Sequence, residues 1–64
     1  MRVRYDRDVD ILYIRLTEDK IEESDEERPG TIIDYDASGM VVGIEILNAS
    51  KRMVHPAMVE LEVA

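Results

Sequence analysis

The chain has 64 residues, no cysteine and a formal net charge of −7. That length allows one small domain, residues 1–64, and the absence of cysteine excludes disulfides and thiolate metal sites. Nucleic acid is not expected as a partner, because phosphate binding needs clustered lysine and arginine. Apolar runs such as Ile11–Ile14 are far shorter than the ~20 residues of a membrane helix. We therefore expect no membrane association and a cytoplasmic location.

The first two predicted strands cover residues 1–5 and 10–16, where apolar and polar side chains alternate. The polar connector between them, residues 6–9, predicts an antiparallel hairpin. A register that pairs Val3 with Leu12 puts the apolar side chains of both strands on one face. A slip of one residue would exchange the faces, so this register is favoured.

An acidic strip, residues 18–27, follows and contains seven acids and one lysine. We expect it to form either an exposed edge strand, where charge discourages unwanted pairing, or a loop. Its function is either that of a solvated edge or that of a docking surface for a basic partner. The residues assigned to partner binding are Glu22, Glu23, Asp25, Glu26 and Glu27.

A second antiparallel hairpin follows a turn at Pro29-Gly30. Its strands are expected at residues 31–35 and 40–46. Asp36 and Gly39 occupy the first and fourth positions of the connecting turn, which is typical of type I turns. The predicted register pairs Ile33 with Val42. Gly43 lies within the second of these strands and indicates a bulge or a close backbone approach.

The end of the chain predicts a short helix and a last strand. Asn48 is a suitable N-cap for a helix to about Val54, which Pro56 ends. Residues 57–64 alternate and predict a strand, in this subunit's sheet or in a neighbour's. The fold class is therefore mainly β (α+β), with two antiparallel hairpins in a small sheet, one short late helix and a C-terminal strand.

The strand at residues 10–16 is apolar on both faces, whereas the sheet of a small monomer covers only one face well. Ile11 and Tyr13 form its second apolar face. The stems of Arg2 and Arg4, with the short helix, are one possible cover. A second subunit is the other, and it is the one we favour. We thus predict a homodimer with Ile11 and Tyr13 at its interface.

One stretch of the chain has the spacing of a calcium-binding loop. It consists of Asp34, Asp36, Ser38, Gly39 and Glu45. The flanking residues are strand formers rather than helix formers, and a hairpin carries Glu45 away from the turn. Asp34, Asp36 and Ser38 remain as ligands of a weak divalent-cation (calcium) site. The alternative is a plain hairpin turn.

No catalytic residue and no cofactor is assigned. His55 is the only side chain that would transfer protons near neutral pH without a perturbed pKa. It precedes Pro56, and this position is typical of a solvated turn. An enzyme would need a site between subunits that joins Tyr13, Arg15 and His55, and this interpretation stays open as a further alternative.

Several segments of the chain together form a recognisable pattern. They are Tyr5-Asp6, Asp10–Leu16, Pro29–Asp36, Gly39 and Val42–Ser50. This pattern resembles a prokaryotic protein family, domain of unknown function 2283 (DUF2283), over roughly residues 3–52. The resemblance implies a small, mainly β protein with a short late helix. It implies no activity, substrate or catalytic residue.

These observations favour a non-enzymatic protein-interaction module whose acidic strip binds a basic partner. An acidic surface accelerates association with a basic partner and makes binding dependent on salt. An antitoxin-like protein is one case of such a module. The weak calcium site and the enzyme between subunits are the alternatives.

Overall fold

The computed structural model describes all 64 residues and contains one antiparallel sheet. Its elements are β1 (Arg2–Asp6), β2 (Ile11–Arg15), β3 (Glu23–Arg28), β4 (Thr31–Tyr35), β5 (Val41–Leu47) and α1 (Ala49–Arg52). The strands lie in the order β1-β2-β5-β4-β3, so β1 and β3 are the edges. The mainly β fold, the two hairpins and the short late helix are confirmed. No helix has the length and apolar character needed to cross a membrane.

The first hairpin forms, but its register differs from the prediction by two residues. Val3 pairs with Ile14 instead of Leu12, because β1 continues through Asp6 and the loop starts one residue later. Asp10 ends this loop in a left-handed conformation with φ 56°. A shift of two residues leaves every side chain on its predicted face.

The second hairpin also forms with a register different from the predicted one. Ile33 pairs with Ile44 instead of Val42, and the register shifts beyond Asp34. Val42 is therefore an extra residue in β5, where it is 1% exposed. A Cβ atom on Gly43 would lie 3.1 Å from Oδ2 of Asp34. Both features that Gly43 indicated, a bulge and a close approach, are confirmed.

The hydrophobic core is small and lies along the two central strands and α1. Its buried apolar side chains are Leu12, Val42 and Ala49. Only five of the 64 residues are buried. A domain of this size rarely has more than about 3–5 kcal/mol of core stability, so each buried side chain matters.

The helix begins at the predicted place, but the predicted cap is wrong. Asn48 has φ 52° and ψ 46°, and its side chain makes no capping hydrogen bond. Instead, Ser50 N donates to Oδ1 of Asp10 at 3.0 Å and Ala49 N donates to the Asp10 carbonyl. The hydroxyl groups of Ser50 and Tyr5 each donate to the Asp10 carboxylate at 2.6 Å. These bonds, that of the Ser50 hydroxyl above all, lower the pKa of Asp10.

The predicted C-terminal strand at residues 57–64 is not formed. The helix ends at Arg52, earlier than expected, and a turn closed by Met58 N and the His55 carbonyl follows. Beyond Met58 the chain makes no backbone hydrogen bond, because no edge of its own sheet receives it. We name residues 53–64 the C-terminal tail.

Candidate functional site

The acidic strip was predicted to form either an exposed edge strand or a loop. In the structure it contains an exposed edge strand, β3. β3 pairs with β4 on one side only, and all six of its residues are exposed. A bulge lies between Glu26 and Arg28. The backbone N–H and C=O groups on the outer side of β3 therefore have no partner within the chain.

Two of the five residues assigned to partner binding also hold the edge in place. Oε1 of Glu27 accepts a hydrogen bond from the Tyr35 hydroxyl at 2.6 Å, and Oε2 of Glu26 accepts one from Gly30 N at 2.8 Å. The bond to Glu27 is the main reason that the pKa of Tyr35 rises to about 12. These contacts connect the acid side chains of β3 to β4 and to the turn between the strands.

The other three residues, Glu22, Glu23 and Asp25, make no side-chain hydrogen bond and no ion pair. The two ion pairs of the chain are Arg2–Glu18 at 4.0 Å and Arg4–Asp6 at 3.2 Å. Neither involves β3. The charges of Glu22, Glu23 and Asp25 are thus unneutralised and exposed to a binding partner.

Ile11 and Tyr13, assigned to a dimer interface, lie on one face of the sheet and are half-buried in the single chain. The other face contacts α1 through a bond of 2.8 Å from Nη1 of Arg52 to Oγ1 of Thr31. The Arg4 guanidinium lies 5.7 Å from the centre of the Tyr13 ring and covers part of it. The interface role of Ile11 and Tyr13 stays a prediction.

A pair of carboxyl groups that sequence reasoning missed lies on the same face as Tyr13. Asp34 is 4% exposed, and its Oδ1 accepts a hydrogen bond from Oγ of Ser24 at 2.6 Å. Glu45 lies within hydrogen-bonding reach of Asp34. Burial, a hydrogen bond between the two carboxyl groups and the charge of Asp34 raise the pKa of Glu45 to about 7. The pair therefore holds a proton close to neutral pH.

The carboxyl pair lines a cavity of about 240 Å³ on the open face of the sheet. Arg2, Arg4 and Arg15 line the same cavity, yet none forms an ion pair with Asp34 or Glu45. The Arg15 guanidinium donates instead to the backbone carbonyls of Thr17 and Asp19. No direct ion pair with an arginine therefore stabilises a second negative charge in this cavity.

We expect Glu45→Gln to stabilise the protein at alkaline pH. In the unfolded chain Glu45 loses its proton near pH 4.5, but in the folded chain it does so near pH 7. The wild-type protein therefore loses stability as pH rises through this window, since the unfolded state releases the proton first. Glutamine has no such proton to lose. The Tm difference between variant and wild type should thus grow from pH 4.5 to about 7 and stay constant above.

Thermal unfolding followed by circular dichroism across this pH range measures the effect. Glu22→Gln is the matched control, because Glu22 is exposed and its side chain makes no hydrogen bond or ion pair. Its Tm difference from wild type should not change with pH. If the Tm difference for Glu45→Gln is equally independent of pH, the carboxyl pair does not share a proton.

Two of the three predicted calcium ligands, Asp36 and Ser38, form hydrogen bonds within a hairpin turn. Oδ1 of Asp36 accepts hydrogen bonds from N and Oγ of Ser38 and from Met40 N, at 2.9–3.0 Å. These bonds, with that of Met40 first, lower the pKa of Asp36. Asp34 bonds to Ser24 instead. No group of three or more His, Cys, Asp or Glu side chains is placed to hold a metal ion. The calcium site stays a prediction without support from these contacts.

The groups of the enzyme alternative lie in two different places. Tyr13 and Arg15 line the cavity of the carboxyl pair. His55 lines another cavity, beside Tyr5 and the C-terminal tail. The structure of one chain therefore does not bring His55 to Tyr13 and Arg15. The enzyme alternative stays a prediction.

Comparison with known proteins identifies a family. The family model described as "Protein of unknown function (DUF2283)" matches residues 2–50. No curated protein and no solved structure matches the chain. The match includes all five strands, whereas the C-terminal tail lies outside it.

Proposed function

Since the chain belongs to DUF2283, a family of proteins of unknown function, we propose a function from the geometry of its own residues. In this proposal the protein is a non-enzymatic protein-interaction module that binds a basic partner through β3. An antitoxin-like protein is one case of such a module. The observation that carries the proposal is the exposed edge strand, whose acidic side chains form no ion pair with a cation of this chain.

The backbone of β3 supplies the first part of the binding site. An extended segment of the partner adds to the outer side of β3 as a sixth strand and hydrogen-bonds to its free N–H and C=O groups. Such main-chain bonds give affinity for any extended segment. Specificity comes from the side chains that alternate above and below the new strand pair.

The acidic side chains select the charge of the partner. Glu23 and Asp25 pair with Tyr35 and Ile33 of β4, so they lie on one face of the sheet, and Glu26 lies on the other. Lysine or arginine on either face of an added strand therefore meets a carboxylate, and opposite charges across a strand pair are favourable. An acidic strand, including β3 of another copy, is repelled.

A synthetic peptide of alternating lysine and valine, about as long as β3, serves as the probe, and calorimetry at low salt measures its binding. The test variant removes the three unneutralised charges by Glu22→Gln, Glu23→Gln and Asp25→Asn. The matched control removes three exposed charges outside residues 22–27 by Asp8→Asn, Glu18→Gln and Glu60→Gln. We expect the test variant to bind about tenfold more weakly, and the control to bind almost as the wild type does.

Two results would contradict the proposal. If both variants lose affinity equally, the peptide responds to net charge and not to β3. If neither variant loses affinity at low salt, the acidic strip serves only solubility.

A further inference from the structure

The C-terminal tail carries a strand pattern that has no partner in the single chain. Its large apolar side chains alternate with Glu60 and Glu62, which is typical of a strand with one buried face. In the structure they are exposed, to 63% for Val59, 77% for Leu61 and 86% for Val63. The tail thus has the sequence pattern of a strand with one apolar face, but it joins no sheet in the single chain.

β1 is the second free edge of the sheet, and its pattern complements that of the tail. It pairs with β2 only. Met1 and Val3 lie on one face and are 80% and 36% exposed. Arg2 and Arg4 project to the other face, because side chains alternate along a strand. This edge therefore offers an apolar row on one face and a basic row on the other.

Strand addition of the tail to β1 matches both rows at once. In an antiparallel register the pairs are Leu61 with Val3, Glu60 with Arg4, and Glu62 with Arg2. The apolar residues then cover one another on one face, and opposite charges meet on the other face. The acidic edge at β3 would instead oppose the two glutamates of the tail. Charge thus directs the tail to β1.

The tail does not pair with β1 of its own chain. The tail starts beside the end of its own β1, where residues 54–58 line a cavity with Tyr5 and Arg7. The turn from His55 to Met58 nevertheless leads to residues that form no pair with that strand. Reciprocal exchange occupies both tails and both β1 edges and closes a symmetric dimer.

We propose that the C-terminal tail of each copy adds as an edge strand to β1 of a second copy. The exchange leaves both β3 strands free, so it is independent of the binding of a basic partner. It gives the predicted homodimer a contact other than Ile11 and Tyr13. Because the tail lies outside residues 2–50, it is a property of this chain and not of the matched family segment.

Sedimentation equilibrium of the full chain at micromolar to millimolar concentration tests the exchange. We expect the mass of two chains. Deletion of residues 57–64 should give a folded monomer, with the circular dichroism of the sheet retained. In the full chain, Glu60→Lys with Glu62→Lys should weaken the dimer at least tenfold, since lysine then opposes arginine. Arg2→Glu with Arg4→Glu, added to these changes, should restore it.

Three results would overturn the proposal. A wild-type mass of one chain at all these concentrations would exclude the dimer. A dimer that persists after deletion of the tail would place the interface elsewhere. A dimer unaffected by the two lysine substitutions would show that the tail does not lie against the basic row of β1. Replacing Glu22, Glu23 and Asp25 by amides should leave the dimer intact, so the two proposals fail separately.

Discussion

Leu12→Ala is expected to leave a large share of the protein unfolded at room temperature. Leu12 lies on the inner strand β2 and is 7% exposed. A leucine-to-alanine change in a core costs about 2–5 kcal/mol, from lost burial and from the cavity left behind. A domain of this size rarely has more than about 3–5 kcal/mol available. One substitution thus removes most of the free energy of unfolding.

Circular dichroism with a thermal melt measures the unfolded fraction of the variant. Leu16→Ala is the matched control, because the same side chain is removed at a position that is 40% exposed. The control should melt close to the wild type. If the variant at Leu12 melts as the control does, the core does not depend on the burial seen at this position.

Gly43→Ala is expected to destabilise the sheet by about 1–3 kcal/mol, as overpacking does in other cores. The new Cβ atom would lie 3.1 Å from Oδ2 of Asp34 and 3.3 Å from the carbonyl oxygen of Ile14. The Ile14 carbonyl belongs to the β2–β5 pairing, and Asp34 is held by Ser24. Neither oxygen is free to retreat.

Urea unfolding of wild type and variant measures this loss as a lower midpoint with an unchanged slope. Val41→Ala is the control, since Val41 lies two residues away on β5 and is 40% exposed. An unchanged or higher midpoint for Gly43→Ala would show that the neighbouring oxygens move away at little cost.

Alternation along the chain predicted the strands and their faces, but it did not determine the pairing. The alternation repeats every two residues, so a register wrong by two residues fits the faces equally well. The left-handed Asp10 and the extra residue Val42 decide the registers of the two hairpins. The pattern of apolar residues predicts neither feature; only Gly43 indicated a bulge.

The wrong register of the second hairpin is also the reason that the carboxyl pair of Asp34 and Glu45 was not predicted. In the predicted register Glu45 lies opposite Gly30, four residues from Asp34 along β4. In the structure it lies opposite Ile32, next to Asp34 on the same face. The acidic edge needed no such detail, because its residues are contiguous in the chain and were predicted from composition alone.

The helix and the tail depended on contacts between distant segments. The side chain of Asn48 is of a type that caps helices. The hydrogen bond from Ser50 N is nevertheless accepted by the carboxylate of Asp10, which lies in a loop far away in the sequence. The tail has the pattern of a strand, but a strand forms only where a sheet edge receives it. The local sequence alone therefore predicts neither the cap of α1 nor the unpaired state of the tail.

Hydrogen exchange of the backbone amides, followed by NMR with and without the lysine–valine peptide, tests the proposed function most directly. If β3 binds a basic strand, the amides of Glu23–Arg28 that point away from β4 become protected when the peptide is added. The amides of β1 should exchange as before, because its basic row repels the peptide. Unchanged exchange along β3, or protection confined to another part of the chain, would contradict the proposal that β3 is the docking edge.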